Sequence, residues 1–155
     1  KLGLFYNNKL ISVMTFSSYR LGIGDGIQKN NEYELSRFCN NFNFYVIGGA
    51  SKLLKHFERN YKPSKIKTYA DKRWSTGDVY YKLNFKHTHN SNPNYWYFNK
   101  SNMFKVYHRF NFRKSELPKK IKSFNKNKSE WGNMKSNGWN RIWDCGTMVF
   151  EKSYK

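Results

Sequence analysis

Few side chains in this sequence stand at spacings that do chemistry, so those that do are the place to start. Tyr45-Val46-Ile47 reads as a strand end that runs into Gly48-Gly49-Ala50-Ser51 and then a helix. Small residues at such a junction let backbone N–H groups approach an anion, and the helix N-terminus adds partial positive charge. The same glycines also suit a plain tight turn, and both readings stay open. His108-Arg109-Phe110-Asn111-Phe112-Arg113-Lys114 interleaves cations with rings. Cations neutralise phosphates and rings stack on exposed bases, although Phe110 and Phe112 equally suit a core face. His87 and His89 with Cys39 and Cys145 have ligand chemistry for zinc, but no spacing joins them, and no metal site is expected. Asp71, Glu34 and Glu32 are the acids that stand at strand ends or in a polar loop. No serine–histidine–acid set, nucleophile elbow or carboxylate pair is readable.

The elements that hold these residues belong to a chain of 155 residues with 29 Lys and Arg against 10 Asp and Glu, a net charge of +19. Solubility needs far less, and an excess of this size predicts a polyanionic partner. Aromatic residues make up 19%, which a disordered tail would not carry. No apolar run reaches the roughly 20 residues that cross a bilayer, so no membrane partner is expected. Two cysteines are too few for a disulfide scaffold, which fits reduced thiols and a cytoplasmic setting. The chain opens on Lys1 rather than Met, already in strand pattern, as a processed product or a piece of something longer would.

Alternation and turn signals set the element order. Lys1–Phe16 reads as a hairpin turning at Asn7-Asn8, and Leu21–Gly26 as a glycine-rich loop. Glu32–Cys39 reads as a strand with Tyr33, Leu35 and Arg37 on one face and Glu34, Ser36 and Phe38 on the other. The helix after Ser51 carries an apolar stripe of Leu53, Leu54 and Phe57 and stops around Pro63. A strand at Ile66–Ala70, a polar loop at Asp71–Gly77 and a short helix at Asp78–Leu83 follow. Phe85–His87 and Tyr95–Phe98 are expected to form a second hairpin, and Val106–Phe112 another strand. Arg113–Lys128 is basic and weakly patterned, Glu130–Lys135 is one or two helical turns, and Trp139–Phe150 closes as strand. The expectation is α/β (α+β), a mixed sheet flanked by helices. Its core spans 1–112, and a basic extension over 113–155 returns to that core as a strand.

Several of these segments, taken in order, resemble one phage family. Tyr33-Glu34-Leu35-Ser36-Arg37-Phe38-Cys39-Asn40, Val46–Lys55, Tyr69-Ala70-Asp71-Lys72-Arg73-Trp74-Ser75 and Gly138–Gly146 are similar to the C-terminal region of phage Vsr-like homing endonucleases. Pro93–Tyr97 and Arg109–Lys114 extend the resemblance to nearly the whole chain. It implies a GNAT-like (acetyltransferase-like) fold, in which Gly48, Gly49, Ala50 and Ser51 resemble an acyl-CoA pyrophosphate loop and Asp78–Phe85 the later helix-to-strand motif. Tyr45 stands where that loop has Gln or Arg, and Asn84 replaces the usual Gly. Glu34-Leu35-x-Arg37, Ser51 and Tyr69-Ala70-Asp71 also resemble Mom-like phage proteins that modify adenine in DNA. That resemblance implies a site lined by Arg37, Ser51, Asp71 and Tyr80 or Tyr81, with Arg37, Asp71 and Tyr80 as its catalytic set. The nuclease motif of the homing enzymes is not in this sequence.

Three functions follow, in order of support. The first is a nucleic-acid-binding module, for double-stranded DNA before RNA, of a homing-endonuclease-type protein in a phage-infected cell. Its contacts would come from Lys52, Lys72, Arg73, Trp74, Arg109, Arg113, Lys114, Lys119 and Lys120. The second is an acyl-CoA-dependent or Mom-like transferase acting on nucleic acid, and the third a basic structural component of a virion or nucleoprotein.

Overall fold

The computed structural model describes residues 1–18 and 31–154. The glycine-rich segment expected at Leu21–Gly26 lies outside them. In chain order the elements are β1 (Leu2–Tyr6), β2 (Lys9–Ser17), β3 (Glu32–Asn40), α1 (Gly49–Tyr61), β4 (Lys65–Asp71), α2 (Asp78–Lys82) and β5 (Lys86–Asn90). Then come β6 (Tyr95–Asn99), β7 (Asn102–His108), α3 (Glu130–Ser136), β8 (Trp139–Trp143) and β9 (Thr147–Ser153). They form two units, Lys1–Ser91 with Thr147–Lys155, and Asn92–Gly146. The boundary expected after Phe112 falls inside the second unit.

The first unit is a six-stranded mixed sheet ordered β1-β2-β3-β4-β9-β5, flanked by helices. Asn7 and Asn8, both at positive φ, turn β1 into β2, as Asn tolerates the left-handed region. β3 and β4 are parallel, which demands a crossover, and α1 supplies it. Leu53, Leu54 and Phe57 are its buried stripe, as their spacing predicts. Phe57 stacks on Phe16 with ring centroids 3.5 Å apart and also meets Tyr33 and Tyr61. The helix stops where Lys62 turns left-handed and donates its N–H to the Glu58 carbonyl, with Pro63 next. At the other edge of this core, β9 fits between β4 and β5, antiparallel to both.

One row of this sheet is charged and sequestered. Glu34, Lys67 and Glu151 are register partners across β3, β4 and β9, and Glu34 and Lys67 are both buried. Glu151 accepts ion pairs from Lys65 at 2.7 Å and Lys67 at 3.2 Å. Burial pushes its carboxyl up, but the two lysine ammoniums outweigh that and hold it below the usual carboxylate range.

The second unit packs a three-stranded sheet, ordered β7-β6-β8, over its own small core. Tyr97 is fully buried with Phe112, Leu117, Ile121 and Met134, and Tyr95, Tyr107, Trp131 and Trp139 close around them. Glu130 on α3 accepts from Tyr97 Oη at 2.7 Å and from Tyr95 Oη at 3.2 Å. Desolvation, reinforced by the Glu130 carboxylate, drives the Tyr97 phenol far above its ordinary range. Asn133 is buried and stitches the preceding loop to α3, accepting from Asn125 N and donating to the carbonyls of Asn125 and Ser129.

Several expectations are corrected. Tyr45-Val46-Ile47 is loop, because β3 already ends at Asn40. The alternation of β3 breaks: Thr15 faces Arg37 while Phe16 faces Leu35, which leaves Ser36 as a bulge. Beyond that extra residue Phe38 joins Leu35 at the core. Segments 85–87 and 95–98 form no hairpin with each other, since β5 pairs β9 and β6 pairs β7 and β8. Val106–Phe112 leaves strand at His108 for a 3-10 turn over Arg109–Phe112, started by the His108 ring accepting from Phe110 N. Trp139–Phe150 is two strands in two sheets, broken at Asp144–Gly146.

Candidate functional site

In the first unit the notable feature is where two strands part. β3 and β4 pair only from Glu32/Lys65 to Leu35/Thr68. At the last pair Thr68 Oγ1 donates to the Leu35 carbonyl at 2.9 Å, ending the ladder with a side chain. Past it, Ser36–Asn40 and Tyr69–Asp71 run on without each other. In a strand–helix–strand crossover the helix starts at the carboxyl ends of the strands, where ligands of open mixed sheets sit. The start of α1 there is bare: Gly48 caps it at φ 71° with no capping side chain, and its first turn has no acid. A Cβ on Gly48 would meet nothing within 4 Å, whereas one on Gly49 would strike Val46 Cγ1 at 2.7 Å. Gly48 therefore serves the turn and leaves open space outside it, and Gly49 serves close packing.

The residues of the implied catalytic set have different surroundings. Arg37 is exposed on β3 just past the bulge. Asp71 ends β4 and caps its own turn: Oδ1 accepts from Arg73 N at 2.8 Å, and Oδ2 lies 3.6 Å from the Arg73 guanidinium. Tyr80 packs its ring against Phe85 and Phe150, and Tyr81, half exposed, sets an edge on Phe150. Ser51 and Lys52 lie exposed in the first turn of α1, beside Ala50. Asn84, the departure from the expected glycine, sits at φ 62°, so it adopts the left-handed backbone a glycine would. Tyr45 is exposed in the loop.

Apart from Lys52 on α1, the expected nucleic-acid contacts gather in two places. On the turn after β4, Lys72, Arg73 and Trp74 are exposed, with the Arg73 guanidinium 4.9 Å from the Trp74 ring centre. In the second unit Arg109, Arg113, Lys114, Lys119 and Lys120 are all exposed along one segment. Arg113 lies 4.4 Å over Phe110, whose other neighbour is the stacked His108 ring at 5.0 Å. Phe112 is core, Phe110 is not. This unit carries twelve Lys and Arg against three acids. Two of those acids are committed internally, Glu130 to the tyrosines and Asp144 to the N–H groups of Asn94 and Gly146. Among the described residues none of the twelve cations forms an ion pair.

Two features escape the sequence reading. Arg141 lies among Trp131, Tyr95 and Trp143, its guanidinium 4.0, 5.0 and 5.4 Å from their ring centres. The alternation of Trp139, Arg141 and Trp143 signals this shared face. The second is the other face of the same sheet, where Val106–Phe98–Asn140 and His108–Trp96–Ile142 form two cross-strand rows. Cys39 and Cys145 are exposed free thiols. His87 tilts against Phe150 and bonds Asn90, while His89 bonds Thr88. Among the described residues no group of histidine, cysteine and carboxylate side chains forms a metal cluster, and no helix is long and apolar enough to cross a membrane.

No family model and no curated protein sequence matches the chain. Among solved structures it is similar to a GNAT family acetyltransferase from Elizabethkingia anophelis with acetyl-CoA bound. Identity is 16% and the TM-score 0.48, over 97% of this chain and 72% of that one.

Proposed function

We propose that this protein binds nucleic acid through phosphate contacts. One observation carries the reading: the second unit holds twelve cations against three acids, and no ion pair within the described residues consumes any of them. Charge left outside a fold seeks counter-charge, and a sugar–phosphate polymer supplies it at regular spacing. The resemblance to the C-terminal region of phage homing endonucleases agrees with this, and makes double-stranded DNA the first substrate to try. The test is a salt titration of duplex binding. Each phosphate neutralised adds about −0.9 to the slope of log K against log salt. We expect a steep slope, and a flat one overturns the reading.

A second reading rests on the parted strands. The opening between β3 and β4, with the bare start of α1 beyond it, suits a phosphate-bearing acyl carrier such as acyl-CoA. The N–H groups at Gly48–Ser51 would face its pyrophosphate, and Asn84 supplies the backbone turn of the missing glycine. Acyl-CoA would supply the activated acyl group; Arg37, exposed on the parted strand, would orient what lies in the opening. Acetyl-CoA in excess should raise the melting temperature, and no shift at saturating concentration overturns this reading.

A further inference from the structure

We propose that the outer face of the second unit's sheet is a stacking platform for single-stranded nucleic acid. The proposal deepens the nucleic-acid reading above and rests on it. One face of an antiparallel sheet covers a core, and the other is ordinarily polar. Here Tyr97 and its neighbours take the core side, yet the outer rows hold Val106, Phe98, Trp96 and Ile142, with Asn140 and His108 as their only polar members. Val106 and Ile142 are each 52% exposed, Phe104 at the hairpin end is fully so, and Trp96 and Phe98 are half-buried. At the end of the lower row the His108 ring stacks on Phe110, and the Arg113 guanidinium lies against that same ring. The column continues from Trp96, which meets His108 edge-on.

The occupant follows from charge and shape. Flat rings ending in a guanidinium laid against Phe110 fit a polyanion that shows its π-faces, and only unpaired bases do so, since a duplex buries them between neighbours. A second copy of the chain would bring +19 against +19, which opposes self-association. An acidic protein would satisfy the cations but gives no reason for rings in registered rows.

The experiment is fluorescence anisotropy with a labelled oligothymidine of about 12 nucleotides and a duplex of the same length. Phe104→Ala and Phe110→Ala are the variants, both at exposed rings that the core does not need. We expect the wild type to prefer the single strand. Each variant should weaken that binding about fivefold or more, with an unchanged salt slope and unchanged duplex affinity. Variants that hold the single strand as tightly as the wild type overturn the platform while leaving the nucleic-acid reading standing. Equal losses on single strand and duplex overturn it as well, because the rings would then not be reading unpaired bases. No binding of either probe at low salt removes the broader reading itself.

Discussion

Gly77 shows how much one residue can hold. It caps α2 at φ 80°, and a Cβ there would lie 2.4 Å from Phe150 Cζ, a fully buried ring at the centre of the first core. A left-handed backbone costs an alanine about 1 kcal/mol, and forcing a methyl into a packed site costs about 1–3 more. Gly77→Ala should therefore destabilise by about 2–4 kcal/mol in chemical denaturation, whereas Gly48→Ala, with open space around it, should cost only the first amount. Tyr97 makes a second residue-scale prediction. Burial and the Glu130 carboxylate raise its phenol above the ordinary range, as burial and Glu58 do for Tyr154. A raised group adds stability below its ordinary value, about 10, and loses it as pH rises beyond. In an ultraviolet titration of the folded protein, two of the twelve tyrosines should keep their protons to the alkaline unfolding point. Titration of all twelve as exposed phenols would contradict the hydrogen bonds to Glu130 and Glu58.

At the scale of elements, α1 and β9 anchor the first unit, and each can be tested. Phe57 joins helix to sheet through the rings of Phe16 and Tyr33, so Phe57→Ala should cost about 3–5 kcal/mol. Glu151 joins β9 to β4 through Lys65 and Lys67. Its depressed carboxyl adds stability above the ordinary carboxylate value, about 4.3, and loses it as pH falls through the depressed one. The melting temperature of Glu151→Gln should thus lie below wild type at neutral pH, and the gap should close in acid. The elements themselves were largely legible. Leu53, Leu54 and Phe57 announced α1, and the alternation of Lys1–Phe16 announced the first hairpin. Partners were not: alternation says that 85–90 is strand, but its mate β9 lies some sixty residues on, past a complete second sheet. The Ser36 bulge was equally silent, since an extra residue leaves no mark on composition. At the candidate sites, the glycine turn and the cations could be read directly. The apolar outer face could not, because its rows exist only once three strands are set in register.

For the whole molecule, net charge decides behaviour that no single contact does. With +19 and a second unit whose acids are mostly committed inside, association with any polyanion should be fast and strongly weakened by salt. Replacing Lys114 and Lys119, both exposed, together by Glu changes this field by four charges. Duplex affinity should drop by an order of magnitude or more at low salt, with circular dichroism unchanged.

The place of β9 in the sheet bears on how the polypeptide comes off the ribosome. Residues 92–146 emerge with every strand of their own sheet present, whereas the earlier unit still lacks the strand that sits between β4 and β5. Until residues 147–153 have been made, two ladders have no partner, and the edges of β4 and β5 stay open to wrong pairing. A nascent chain halted at Gly146 should therefore be more protease-sensitive in Lys65–Asp71 than the chain carried on through Ser153.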